Sequence, residues 1–281
     1  MRSRGNFKHS LGASCARAGT SNWLPARTVA GVTIGIFCIV LASILLGAVA
    51  QRIAGLGFAL LIAPFLVIIL GPHAGVLLVN ICGVVSSSII VGRVWKDIDW
   101  SMFRWLTVPS VFGSVPGSVL AVAVPSAPLS VTVGAIVLVA LSISLVLQRS
   151  AVVVRGNIPK VVAGFAAGVT NSMAGVGGPA VSAYAILSRW PQRPFAATLQ
   201  PFFVFIGTVT LTVKLLIDPS QAPVLAPWMW IAIGLTIIAG IFTGERLARF
   251  VRDDQARLFV IVIAFVGAAF AIVKGLVDLL G

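Results

Sequence analysis

The apolar positions of this chain come in long unbroken runs. Thr28 to Ala50 is 23 residues without a charge, and Val161 to Ser188 is 28. About 20 such residues in a helix cross a ~30 Å hydrocarbon layer, so both runs are long enough to span a membrane. Further runs follow at 54–70, 74–92, 105–123, 127–147, 195–213, 222–244 and 258–273. A lipid-facing barrel would need short segments alternating apolar with polar residues, and these runs do not alternate. The pattern predicts an all-α fold, a polytopic transmembrane helical bundle. Trp23, Trp95, Trp100, Trp105, Trp190, Trp228 and Trp230 stand at or near the run ends, where an indole sits at headgroup level.

The run 161–188 is too long for one span. At ~1.5 Å per residue its length as a helix would be about 42 Å. It contains Gly164, Gly168, Gly175, Gly177, Gly178 and Pro179 around the polar pair Asn171-Ser172. Glycine lets the backbone leave helical geometry, and proline suits the start of a new helix. The expected structure is a helix, a short unwound stretch and a second half-helix starting near Pro179. Unwound backbone in a membrane must face protein or a water-filled cavity, because its N–H and C=O groups need partners. The half-helix start offers unpaired N–H groups and the positive end of a dipole, which together suit an anion. The alternative for Gly164 and Gly168, spaced as G-x-x-x-G, is tight helix packing.

The chain repeats itself. The heptapeptide from Gln51 through Arg52, Gly55 and Gly57 lies 120 residues before that from Asn171 through Ser172, Gly175 and Gly177. Gly113-x-x-x-Gly117 recurs as Gly240-x-x-x-Gly244 at an offset of 127. These glycine pairs have no polar neighbour and read as helix contacts. Two related halves are expected, 28–148 and 158–281, with broken or re-entrant helices, after a disordered basic tail at 1–27 and around a basic loop at 149–157. The small-x-small sequence Ala48-Val49-Ala50 resembles a signal-peptide cleavage site, but the apolar run before it is too long, so 28–50 is read as retained.

Charge orients the bundle. The breaks 93–104, 149–160, 189–193 and 245–257 hold twelve Lys and Arg, and the breaks 71–73, 124–126 and 218–227 hold none. All twelve reach one side if 161–188 returns to its own side, and that side is cytoplasmic by the positive-inside rule. The five basic residues of the tail also favour the cytoplasm, which requires 28–70 to make one net crossing. Its counterpart 161–188 should make none or two, so the two demands conflict.

Candidate substrate-binding residues follow from the breaks and the polar residues inside spans: Gln51, Arg52, Gly55, Gly57, Asn80, Asn171, Ser172, Gly175, Gly177, Gly178, Thr198 and Gln200. Asn80 and Gln200 are also 120 apart, which places an amide at one depth in each half. An amide can hold an oxyanion, and it can equally bond a neighbouring helix. Arg52 either neutralises the substrate or snorkels from a helix end.

Composition then excludes other classes. The hydrophobic share of 59% and mean hydropathy of +1.09 fit a membrane protein. The net charge of +13 resides in loops and tail without a nucleic-acid motif, so no nucleic-acid partner is expected. No Asp or Glu interrupts an apolar run, so a buried carboxylate relay is not visible. The chain lacks H-E-x-x-H and G-x-x-x-x-G-K-[ST], and its Cys and His residues have no ligand spacing. No enzyme activity, metal or cofactor is expected; the partners are a small anion and the bilayer.

The glycine break in each half, Gly164-x-x-x-Gly168 leading into Gly175-Val176-Gly177-Gly178-Pro179, and Ala197-Thr198 after a basic loop resemble the TauE/SafE family of membrane permeases. The resemblance covers nearly the whole chain after the tail. It implies a multi-pass carrier of about eight helices in a bacterial or archaeal inner membrane, moving sulfite, sulfonates or related organosulfur anions. The first half departs from the family pattern with Phe58 where a further glycine is common, which leaves its backbone less open to a ligand. A membrane scaffold or assembly factor is the alternative, for which 1–27 would be the interaction segment.

Overall fold

The computed structural model describes residues 34–54, 58–147, 152–248 and 253–280. Among these residues are ten α-helices and no strand: α1 (Ile34–Ala54), α2 (Phe58–Leu70), α3 (Pro72–Val94), α4 (Trp100–Ala123), α5 (Ser126–Leu147), α6 (Ile158–Ala174), α7 (Gly178–Ser188), α8 (Gln192–Ile217), α9 (Pro227–Leu247) and α10 (Asp253–Leu280). The protein is an all-α polytopic membrane bundle, with seven of these helices long and apolar enough to cross a bilayer. α2 has 13 residues and α7 has 11, about 20 Å and 17 Å of helix, so neither spans alone. The tail and the break Gly55-Leu56-Gly57 lie outside the described residues.

Several helices outrun the charge-free runs, and two of them show why. α4 begins at Trp100 because Asp99 caps it, its carboxylate accepting from the Met102 amide at 2.9 Å. α8 continues past Val213 to Ile217, carrying Lys214 inside the bundle.

Side-chain chemistry explains the faces of α4. Ser110, Ser114, Ser118 and the two glycines Gly113 and Gly117 are buried, whereas Val108, Phe112, Val115 and Val119 are exposed. Small and polar residues therefore face the bundle and large apolar ones face outward, as lipid demands.

Glycine contacts set the helix directions. Gly164 lies against Leu106, Gly113 against Phe165 and Gly117 against Ser172, so α4 and α6 run parallel. Gly240 lies against Leu45 and Ala48, and Gly244 against Val49 and Arg52, so α9 and α1 also run parallel. α3 and α8 are antiparallel, with Gly207 beside Asn80 at one level and Gln51 bridging Ser87 and Gln200 at another. α5 and α10 are antiparallel through Gly134 on Ile272 and Gly275 on Val131. α2 turns back along α1, Gly47 meeting Ile62 and Phe58, and α7 turns back beside α6, the Leu187 carbonyl near its end accepting from the Val154 amide just ahead of α6 at 2.9 Å.

These directions gather the basic breaks on one face. There Arg93 bonds Glu245 at 2.7 Å, Arg193 bonds Asp97 at 3.0 Å, and the Lys160 ammonium sits 5.5 Å from the Trp105 ring centre. α1 follows α9 and therefore starts on the opposite face. The conflict over crossings resolves in favour of packing: α1–α2, like α6–α7, leaves from and returns to one face, and the single crossing that the tail's charge requires is not made.

The contacts recur at the offsets found in the sequence. Gly113 on Phe165 and Gly117 on Ser172 are matched by Gly240 on Leu45 and Gly244 on Arg52. Asn171 donating to Asn80 is matched by Gln51 donating to Gln200.

Candidate functional site

α6 stops where glycine allows it. Gly175 has φ +74 and donates its amide to the Asn171 carbonyl at 2.7 Å, closing the last turn in a left-handed cap. Val176 and Gly177 follow outside any helix, and α7 begins at Gly178 with Pro179 in its first turn. The stretch 161–188 is thus two helices with a three-residue break. Positive φ falls at Gly175 and not at Gly177, whose φ of −86 is ordinary helical geometry. The amides of Val176, Gly177 and Gly178 have no acceptor among the described residues.

Beside this break lies a cavity of about 50 Å³. One water occupies roughly 10–15 Å³ on such a measure, so the space admits a few waters or one small oxyanion. Its wall joins the starts of both short helices, Phe58 to Leu60 of α2 and Gly178-Pro179 of α7, with Gln51, Asn80, Ser87 and Asn171 supplying polar groups and Phe203 an aromatic face. Among the described residues, none that lines it carries a charge.

Two amide clusters border it. Asn171 donates from Nδ2 to Asn80 Oδ1 at 2.8 Å and to Thr210 Oγ1 at 3.1 Å, while Asn80 donates to the Val76 carbonyl at 2.9 Å. On the other side Ser86 donates to Gln51 Oε1 at 2.7 Å, and Gln51 Nε2 lies 3.3 Å from both Ser87 Oγ and Gln200 Oε1. Each amide is oriented by its neighbours, so the cavity wall is preformed.

Of the residues singled out in the sequence, Gln51, Asn80, Asn171, Gly175, Gly177 and Gly178 line the cavity. Ser172 and Gln200 stand behind it, Ser172 donating to the Ser114 carbonyl at 3.0 Å and Gln200 to the Ala196 carbonyl at 3.2 Å. Thr198 is placed elsewhere: its hydroxyl accepts from the Asp99 amide at 2.9 Å and fixes the start of α4. Arg52 is also elsewhere, paired at 3.1 Å with Glu245, which holds Arg93 as well, so this trio ties α1, α3 and α9 together at the basic face. Gly55 and Gly57 lie outside the described residues. Gly164 and Gly168 belong to helix packing, since a Cβ at either would overlap the Leu106 or Ser110 carbonyl oxygen.

Ser87, Phe58 and Phe203 join the wall without having been singled out for it. Ser87 was visible only as one of three consecutive serines, whose facing no local pattern reveals, and an aromatic residue in an apolar run carries no signal of its own.

A multi-pass bundle with a small uncharged cavity at the starts of two short helices has the build of a membrane transporter. The chain belongs to the family described as sulfite exporter TauE/SafE, which it matches over residues 39–271. Comparison with curated proteins and with solved structures finds no match. Membership makes this multi-pass membrane protein a transporter of the sulfite-exporter type.

Proposed function

We propose that the chain carries a small sulfur oxyanion or sulfonate, sulfite foremost, through the cavity between α2 and α7. The observation that carries this reading is the set of free amides at Val176, Gly177 and Gly178 in an uncharged pocket, beside Asn80, whose Nδ2 keeps one N–H after donating to the Val76 carbonyl and is held in place by Asn171. Backbone N–H groups and a side-chain amide hold an oxyanion without the desolvation cost of a buried cation. The paired contacts at offsets of 120 and 127 support two related halves in opposite orientation, so that an exchange of conformation between them would open the cavity to each face in turn.

The test is flux of radiolabelled sulfite into liposomes containing the purified protein. Flux well above that of empty liposomes is the expected result. Asn171→Leu, which leaves Asn80 Oδ1 without its donor, should lower it by about tenfold or more, in line with the 1–3 kcal/mol cost of an orphaned buried polar group. Flux equal to that of empty liposomes across sulfite, sulfonates and other small anions would favour the scaffold alternative.

A further inference from the structure

Lys214 takes no part in the site above, yet it is fully buried and its Nζ has no hydrogen-bond partner. An ionisable side chain inside a membrane bundle ordinarily pairs with another group or faces a pathway, because an isolated charge there is costly.

Helix register places its surroundings. Along α8, Gly207 faces Asn80, Thr210 meets Asn171 and Ser172, and Lys214 lies one turn further from the basic face. Along antiparallel α3, the residue two turns beyond Asn80 in the same direction is His73, which lies within reach of the Lys214 charge and whose Nδ1 is buried without a partner. Along α4, Ser114 receives the Ser172 hydroxyl, and one turn beyond it Ser118 is fully buried with its own hydroxyl unpartnered. Lys214 and Ser118 thus lie about one turn, roughly 6 Å, and His73 about two turns beyond the level of the Asn80–Asn171 pair, on α8 and on the two helices, α3 and α4, that each pack against it.

The matched halves show what this region lacks. At an offset of 127, Ser118 corresponds to Glu245, while at 120 the counterpart of Arg93 is Val213 and Lys214 stands one residue further on. At the basic face Arg93 has the Glu245 carboxylate at 2.7 Å, whereas at the other face a serine stands where that carboxylate would be. For Lys214, Asp218 does not substitute for it: Ser220 and Gln221 engage its carboxylate, the Ser220 hydroxyl foremost, and hold it below the usual carboxylate range, while its charge reaches His73.

We propose that Lys214, with Ser118 and His73, forms a second oxyanion site between the central cavity and the face opposite the basic loops, occupied by the transported anion on its way through. The ligand class rests on the transport reading given above.

Equilibrium binding of radiolabelled sulfite to the purified full-length chain tests it. The wild type should bind two sulfites per chain, Lys214→Met one, Asn171→Leu one, and Lys214→Arg two. A wild type that binds one sulfite, kept in Lys214→Met and lost in Asn171→Leu, overturns this inference and leaves the cavity standing. Sulfite binding that is lost in Lys214→Met and unchanged in Asn171→Leu overturns the cavity reading and leaves this site standing. No binding to the wild type overturns both. Should Lys214→Met yield no folded protein, Asn171→Leu decides alone: one sulfite bound is expected, and none overturns the second site.

Discussion

Gly175→Val should reduce sulfite flux per folded molecule to the level of empty liposomes. At φ +74 an L-residue is strained by roughly 1–3 kcal/mol, and a β-branched one stands at the upper end. A Cβ there would also lie 2.9 Å from Val79 Cγ1 and 3.6 Å from Asn80 Nδ2, pushing both residues of the cavity wall. Strain and obstruction can be separated with Gly177→Val. Gly177 already has helical φ, and its Cβ would lie 3.0 Å from the Ala167 carbonyl oxygen and 3.2 Å from Asn171 Cβ, so this valine acts by crowding Asn171 and the end of α6 beside the free amides. Loss of flux in both variants is the expected outcome, measured per folded protein in reconstituted vesicles. Normal flux in Gly177→Val would remove those amides from the binding site and with them the anion-receptor mechanism.

Gly113→Val should fail earlier, in folding. A Cβ at this position would overlap the Phe165 carbonyl oxygen and come within 3.1 Å of the Val169 amide nitrogen, and backbone cannot yield without separating α4 from α6. Gly164 and Gly168 press on α4 from the other side in the same way, so the seam has no slack. Overpacking ordinarily costs about 1–3 kcal/mol, and a backbone clash belongs at or above that range. The yield of monodisperse protein after membrane extraction should fall severalfold, while whatever folds transports at close to the wild-type rate per molecule. Normal yield with abolished flux would mean that this seam moves in the transport cycle.

The spans were legible because lipid imposes a rule that a single run of residues can display. The break at 175–177 was legible for a similar reason: two adjacent glycines and a proline in an apolar run have few other uses. Which glycine bends the chain was not, since Gly175 and Gly177 look alike until φ is known. Arg52 illustrates a deeper limit. Its partner Glu245 is 193 residues away, and only the parallel packing of α1 on α9 brings them together. Lys214 was hidden by the very rule that found the spans: a charge ends an apolar run, so a lysine buried inside a helix reads as the edge of one.

The uncharged wall of the cavity has an electrical consequence. On the proposed reading, an anion held there by amides carries its full charge through the cavity, with no carboxylate among the described lining residues to travel as a proton carrier in exchange. Its movement is then a current. A membrane negative on the basic-loop side drives that current outward by about 2.3 kcal/mol per charge for each 100 mV. In vesicles clamped with a potassium gradient and valinomycin, flux should steepen as the anion's side becomes more negative and should reverse direction when the voltage does. Flux independent of voltage would mean that a compensating charge travels with the anion. With voltage as the driving force, export of a singly charged anion at 100 mV could run against a concentration ratio of up to roughly fiftyfold without a coupling ion.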